Sequence, residues 1–414
     1  MSEYFTPLIV GNNITELPKS KLPASAADCS GHYPFFCSSS EVKATTTWLQ
    51  EKPTVLMGTG GVASVNYGKD RFAYSTDTWG FRSNNGKLET NFLFRKIQQY
   101  LPRIDYAGFE GSGLRHLRKD FVKKLKIEVP SPTVQSRMVE IIDSYDRAIE
   151  KTEALIAKYQ QIKAGLMHDL FARGVTADGK LRPPRAQAPE LYQETPIGWI
   201  PKEWVVKPLG TLAEIVSGVT LGSKVEISNG IEVPYLRVAN VQDGYLDLTE
   251  VKIVRVSTSQ FEKLQLRYGD VLMNEGGDFD KLGRGSVWRE EIKPCIHQNH
   301  VFRVRPRDGQ LRSYFLAFWS QSEMGKKYFV LNSKQSTNLA SINSTQLNRF
   351  PVALPLSIEQ GRIELRIIAH NGYAESLEQE LAKLRQQKLG LMSDLLSGKI
   401  RVKTEIKTLE LASG

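Results

Sequence analysis

Residues 155–170 read Leu-Ile-Ala-Lys-Tyr-Gln-Gln-Ile-Lys-Ala-Gly-Leu-Met-His-Asp-Leu, and residues 380–395 read Glu-Leu-Ala-Lys-Leu-Arg-Gln-Gln-Lys-Leu-Gly-Leu-Met-Ser-Asp-Leu. At one offset of 225, Ala157, Lys158, Gln161, Lys163, Gly165, Leu166, Met167, Asp169 and Leu170 recur as Ala382, Lys383, Gln386, Lys388, Gly390, Leu391, Met392, Asp394 and Leu395. The same offset carries Pro130, Gln135, Arg137 and Ile142 onto Pro355, Gln360, Arg362 and Ile367 without a gap. An ungapped register of this length marks a tandem duplication, the mark of a chain that handles two similar targets or builds a pseudo-symmetric object.

The repeated block has the period of a paired helix. Steps of four and three from Met138 meet Ile142, Tyr145, Ile149, Thr152, Ile156, Tyr159, Lys163, Leu166 and Leu170. In the second copy they meet Ile363, Ile367, His370, Ala374, Leu377, Leu381, Leu384, Lys388, Leu391 and Leu395. A 3-4 apolar repeat sustained over several heptads predicts a coiled-coil seam. Residues 134–172 then form a rod of roughly 58 Å at about 1.5 Å per residue. Lys163 and Lys388 interrupt the two seams at matching places. They read either as side chains snorkelling from a frayed end or, with Met167 and Met392, as contacts for a partner protein.

Outward from the rods, the chain is modular. Its 414 residues predict two or three domains, and its net charge of +10 is unevenly placed. Residues 1–130 hold 17 Lys/Arg against 12 Asp/Glu, and residues 196–355 hold 20 against 16, whereas 131–175 hold six of each. Basic segments that precede neutral coiled coils point to polyanion binding by the former and protein binding by the latter. No apolar run is long enough to span a membrane. The start, Met-Ser-Glu-Tyr-Phe-Thr-Pro, has no basic-then-apolar leader. Cys29, Cys37 and Cys295 form no framework and read as reduced thiols of a cytoplasmic protein.

The basic segments also match one another, with an offset that drifts. Val55-Leu56-Met57-Gly58-Thr59-Gly60-Gly61 answers Val271-Leu272-Met273-Asn274-Glu275-Gly276-Gly277, and Phe81-Arg82 answers Phe302-Arg303. At the start of the first copy, only Pro7-Leu8 echoes Pro208-Leu209. A shared scaffold with divergent loops suits two recognition modules with different targets. Alternation predicts strands near 268–273 and 301–305, and residues 90–100 and 312–320 read as helices.

The order of motifs carries a resemblance. Gly198-Trp199 and Trp204 lead to Leu209-Gly210, then to Gly269-Asp270-Val271-Leu272-Met273 and Leu282-Gly283-Arg284. Gln298-Asn299-His300-Val301-Phe302-Arg303-Val304-Arg305-Pro306, Leu354-Pro355-Leu356 and Gln360-Gly361-Arg362 follow. A long helix then ends in Leu395-Leu396-Ser397-Gly398-Lys399. This resembles the specificity subunit of type I restriction-modification systems over nearly the whole chain. The resemblance implies an α+β fold with two tandem target recognition domains, each followed by a long helix, the helices pairing as an antiparallel coiled coil with pseudo-two-fold symmetry. The segments are then a recognition domain at 1–130, a spacer helix at 131–175, a linker at 176–195, a second recognition domain at 196–356, a second spacer helix at 357–402 and a tail at 403–414. The implied partners are double-stranded DNA with a split recognition site, two methylating subunits and, through the complex, restriction-translocase subunits.

Catalytic signatures are not found in the sequence. The only Pro-Pro, Pro183-Pro184, lies in the linker and not in an Asn/Asp-Pro-Pro-Tyr/Phe loop. Gly58-Thr59-Gly60-Gly61 is not a Walker loop and reads as a tight turn that offers backbone N–H groups to a phosphate. Asp278-Phe279-Asp280-Lys281 reads as a solvated loop, and Cys295-Ile296-His297 with His300 is too loose for zinc. No cofactor and no catalytic or metal site is expected. The alternative class is a single-chain DNA methyltransferase or nuclease with its own recognition domains; a weaker one is a basic coiled-coil scaffold without sequence preference.

DNA contacts are expected from loops. Ser112–Lys119 aligns with Thr337–Ser344, with Leu114 and Leu117 matched by Leu339 and Ile342 while the polar residues change. The first-domain candidates are Thr59, Gly60, Arg71, Arg82, Arg115, His116, Arg118 and Lys119. The second-domain candidates are Arg237, Asn240, Asn274, Lys281, Arg284, Arg289, Lys334, Gln335, Thr337 and Asn338. Arg and Lys suit guanine edges and phosphates, and Asn and Gln suit adenine.

Overall fold

The computed structural model describes residues 5–220, 230–277, 282–283, 285–307, 309–335 and 340–402. It divides into two compact units, Met1–Leu155 with Leu377–Gly414, and Ile156–Ser376. Two long helices, Pro132–Arg173 and Ser357–Ser397, each contribute to both. No helix among the described residues is long and apolar enough to cross a membrane.

The first unit is built on a sheet whose central strand, Thr54–Gly58, is buried at every position. The strand order is Ile14–Glu16, Thr78–Ser83, Thr54–Gly58, Val65–Gly68, all antiparallel. Helix Thr90–Ala107 lays Phe92, Leu93 and Ile97 into one core with Val55, Met57 and Phe81. A smaller sheet sets Tyr33–Phe36 between Val42–Thr45, antiparallel, and Ala73–Tyr74, parallel. A last pair, Thr6–Ile9 with Lys126–Val129, delivers the chain to its long helix.

The second unit repeats this plan. Its main sheet runs Ala213–Ser217, Val301–Pro306, Val271–Asn274, Gly285–Val287. Its small sheet sets Ile231–Leu236 between antiparallel Lys252–Val256 and parallel Ile296–His297. Val205–Pro208 pairs with Pro351–Leu354 before the second long helix. The strand expected over 268–273 starts only at Val271, because Gly269 turns the chain at φ +87° and the buried Asp270 carboxylate accepts from Arg267 N and Arg305. The echo of Pro7-Leu8 in Pro208-Leu209 is two residues out of register. Val10 N donates to Leu125 O at 3.0 Å and Leu209 N to Phe350 O at 2.8 Å, so Val10 is the counterpart of Leu209.

A buried glutamine roots each long helix. Gln135 Nε2 donates to Lys87 O (2.7 Å) and Pro130 O (2.8 Å), and its Oε1 accepts from Glu89 N (2.8 Å). Gln360 repeats the set with Gln310 O (2.7 Å), Pro355 O (2.9 Å) and Arg312 N (2.9 Å). Both side chains are sealed from water. Such an amide satisfies three backbone groups that burial would otherwise leave bare.

The helices run antiparallel within each unit. In the first, Asp146 pairs with Lys388 and Glu153 with Arg385 (2.6 Å), so partner numbers fall as the first helix advances. In the second, Tyr159 packs on His370 and Tyr373 with ring centroids 5.3 and 4.6 Å apart, and Val175 N donates to Glu359 Oε1 (2.8 Å). Every seam position from Met138 to Leu170 and from Ile363 to Leu395 is buried or half-buried.

Each helix also ends against a cation. Lys96 Nζ donates to Leu396 O (2.6 Å), and burial lowers its pKa to about 8. Arg182 Nη1 donates to Arg173 O (3.1 Å) and pairs with Glu359 (2.6 Å). Positive groups belong at a helix C-terminus, where the last carbonyls lack partners. Gly174 takes φ +66° there, and a Cβ would sit 2.3 Å from Glu359 Oε1, so only glycine fits.

Replacing Gln135 or Gln360 by alanine strands three backbone groups, one buried and two part-buried. Each variant should lose about 3 kcal/mol in urea denaturation, well above the effect of a surface glutamine.

Candidate nucleic-acid interface

The loops that the sequence singled out separately are joined by backbone pairing. In the first unit, Phe109–Glu110 pairs with His116–Leu117, and His116 bridges in turn to Gly60. Leu117 N donates to Thr59 O (3.0 Å) and Gly61 N to Arg115 O (2.9 Å). In the second unit, Lys334–Gln335 pairs with Ala340–Ser341, which pairs with Gly276–Gly277. Ile342 N donates to Glu275 O (2.8 Å), the counterpart of the Leu117–Thr59 bond. Each domain therefore carries the same three-segment ribbon with different side chains.

Asp105 braces the first ribbon. Its Oδ1 accepts from Ala63 N (2.8 Å) and Arg115 Nη2 (2.9 Å), and its carbonyl accepts from Arg115 Nη1 (3.1 Å). The Ala63 hydrogen bond, then Arg115, holds this carboxyl below its usual range. Arg118 donates to Ala107 O (2.5 Å) and lies 3.5 Å from Glu110. Both arginines thus cover the C-terminal turn of helix Thr90–Ala107. His116 is exposed on the ribbon, and Lys119 lies over the Trp79 ring at 5.5 Å. Asp105 was not among the expected residues, because nothing in its local sequence sets it apart from a helix-surface acid.

Other candidates sit elsewhere. The Thr59 hydroxyl donates inward to Asp77 O (2.9 Å). With Thr59 N on Asp77 O and Gly61 N on Arg115 O, those two N–H groups of the glycine turn are taken and do not cradle a phosphate. Arg71 stacks on Trp48 (5.1 Å) beside an open cleft of about 690 Å³. Arg82 donates to Gln50 Oε1 (2.7 Å) and is half-buried.

In the second unit, Lys334 is exposed on the ribbon, and Gln335 contributes its backbone. Arg237 is occupied by Glu250 and Arg289 by Glu291, each at 3.3 Å. Asn240 and Asn274, expected at the DNA, are instead internal fasteners. Asn240 Nδ2 donates to Asp247 O (2.8 Å) and Glu250 O (2.9 Å), and Asn274 Nδ2 to Val241 O (2.9 Å). Both are buried, so neither amide faces outward. Lys281, Arg284, Thr337 and Asn338, and the acidic pair Asp278 and Asp280, lie outside the described residues.

The expected partner contacts divide. Met167 and Met392 are buried, each in the core of its own unit. Lys388 is not frayed: nine residues before its helix ends, it pairs with Asp146, which also holds Arg95 (2.5 Å). At the repeat offset Asn371 replaces that aspartate, and Lys163 makes no ion pair among the described residues. Lys163 lines a cleft of about 780 Å³ with Ala164, His168, Lys326 and Leu331. Burial and the Lys163 charge lower the pKa of His370.

The Cys295–His300 stretch is structural. Burial pushes the Cys295 thiol up to about 12 and the His297 imidazole down to about 4. His297 Nδ1 hydrogen-bonds Val301 O (2.6 Å), and His300 Nδ1 meets Glu275 Oε2 (2.7 Å). The three side chains point into separate contacts.

A duplicated α+β scaffold carries one ribbon frame twice, with Arg115, His116 and Arg118 on the first copy and Lys334 on the second. The model of the type I restriction modification DNA specificity domain matches residues 13–161 and 201–384, and the chain belongs to that family. It is a specificity subunit of a type I restriction-modification system, the recognition component and not a catalyst. The MjaVIII specificity subunit of Methanocaldococcus jannaschii is 24% identical over 402 residues, 93% of this chain and 90% of that protein. The MjaX specificity subunit of the same organism is 24% identical over 210 residues, so this match spans 50% of the chain and about half, 49%, of that relative. The S subunit from M. genitalium shares the fold, with a TM-score of 0.62 at 14% identity over 95% of this chain and 97% of that one.

Removing the brace by Asp105→Ala should speed tryptic cleavage at Arg115 and Arg118 several-fold. The urea midpoint should move by less than about 1 kcal/mol equivalent, because the side chain lies at the surface. His297 gives a pH signature. Its folded pKa of about 4 lies below the usual 6.5, so its contribution is full above pH 6.5 and is lost as pH falls toward 4. The loss is about 3 kcal/mol in all, and a His297→Gln variant should show a flatter acid limb in pH-dependent denaturation.

Proposed function

We propose that this subunit reads a split site in double-stranded DNA, one half-site for each recognition domain. The two domains are 1–130 and 196–356. The helices at 131–175 and 357–402, joined to the second domain by the linker at 176–195, set the gap between half-sites. They also offer docking positions for two methylating subunits, through which restriction-translocase subunits join. The tail at 403–414 is assigned no role. The observation that supports this reading is the repeated ribbon: one backbone frame presented twice, with an arginine- and lysine-bearing set in the first copy and a Lys334–Gln335 strand in the second.

In this reading His116 and Lys119 of the first ribbon and Lys334 of the second meet DNA directly. Arg115 and Arg118 keep N–H groups in reserve beyond those given to helix carbonyls. Basic side chains supply phosphate contacts that position the protein, and base-edge contacts supply choice. Lys163, which has no ion pair among the described residues and lines a cleft, is the docking position for a methylating subunit.

The test removes one heptad from each helix, residues 149–155 and 374–380, which keeps the seam in phase. Methylation mapping in a host carrying the partner subunits should show both half-sites unchanged. The spacer should be shorter by about 3 base pairs, from ~1.5 Å per residue and ~3.4 Å per pair. A changed half-site sequence would refute the division of labour between domain and helix.

A further inference from the structure

At the tip of the first ribbon the chain exposes three large apolar side chains together. Val62 is 69% exposed, Leu114 67% and Tyr106 89%. Val62 follows Gly61, whose N–H donates to Arg115 O, and Leu114 immediately precedes that arginine. Ala63 and Arg115 both bond Asp105, the neighbour of Tyr106. The brace therefore ties together the three segments that carry these residues. A single exposed leucine needs no explanation, but an apolar tip on a ribbon otherwise carrying Arg115, His116, Arg118 and Lys119 does.

The tip is shaped for close approach. A Cβ added at Gly61 or Gly113 would meet nothing within 4 Å, so the backbone beside the apolar residues is bare. The turn also requires glycine at its start. Gly111 takes φ +129°, and a Cβ there would lie 2.8 Å from Leu114 O. The cations around the tip fit a polyanion and leave an apolar protein partner poorly matched.

We infer that Val62 and Leu114 form a wedge that enters a base step of the half-site read by the first unit, with Tyr106 beside the opened step. The inference rests on the DNA-reading function proposed above. Apolar side chains between bases replace the stacking that they break, and flanking cations hold the phosphates of the kinked strand. Flexible pyrimidine–purine steps open most readily, so the wedge selects sequence at a step where it makes no hydrogen bond.

The test uses the full chain assembled with its methylating subunits and duplexes carrying the mapped site, with 2-aminopurine placed at successive positions of that half-site. With the native chain, fluorescence at one step should rise several-fold on binding. In Val62→Ala/Leu114→Ala this rise should fall at least about fivefold while specific affinity falls by no more than about tenfold. Leu114→Met should restore most of the rise. Both side chains are two-thirds exposed, so alanine leaves the core intact. An unchanged rise in the double variant overturns the wedge, as does tight native binding with no bright position. A double variant that fails to assemble with the methylating subunits makes the tip a protein contact and also overturns the wedge. Native complex with no preference for the mapped site over a scrambled duplex overturns the DNA-reading function itself, and the wedge with it.

Discussion

A glutamine amide sealed from water at the root of each long helix fixes the rest of this structure. Gln135 and Gln360 each bind one backbone N–H and two carbonyls, drawn from the residues that lead into a helix within the recognition domain and from the proline just before the long helix. Buried polar groups of this kind are expensive unless every one is matched, so the first turn of each helix is tied to its own domain. The same arrangement stands in both copies although the surrounding loops differ.

The far end of each rod is fixed by a different device. The first unit closes over the last turn of the second helix with Met392, Leu395 and Leu396 in its core and Lys96 on the Leu396 carbonyl. The second unit closes over the last turn of the first helix with Leu170 and Phe171, and with Arg182 on the Arg173 carbonyl. Each unit is thus completed by residues from the other half of the sequence. The two cations come from unrelated positions, one in a domain helix and one in the linker. The requirement is only that a helix C-terminus meet positive charge.

Between the two copies the ribbons are the part that differs in side chains. Their backbone pairing is the same in both units while the side chains differ, with Arg115, His116 and Lys119 in the first and Lys334 in the second. Acidic residues near the ribbons, such as Asp105 and Glu275, orient the basic ones: Asp105 holds Arg115, and Glu275 holds His300. The lysines of the seam show the same economy of change. Asp146 beside Lys388 makes an ion network with Arg95, and at the matching position asparagine stands where that aspartate would pair, so Lys163 has no ion pair among the described residues.

The sequence by itself determined the duplication, the α+β class, the seam and the placement of basic segments before neutral helices. These are periodic or cumulative properties, written in residue spacing and in counts, and they survive without knowledge of which distant residues meet. Only the tertiary structure decided what each polar residue does. Asn240 and Asn274 have the chemistry of adenine readers, but both amides are spent on internal carbonyls. Met167 and Met392 stand in the most strongly repeated stretch because two cores need them, not because they face outward. The junction of Thr59–Gly61 with Arg115–Leu117 was likewise invisible, although both segments were singled out, because backbone pairing between distant loops leaves no local pattern. Polarity is a property of the residue, whereas burial and partner belong to the fold.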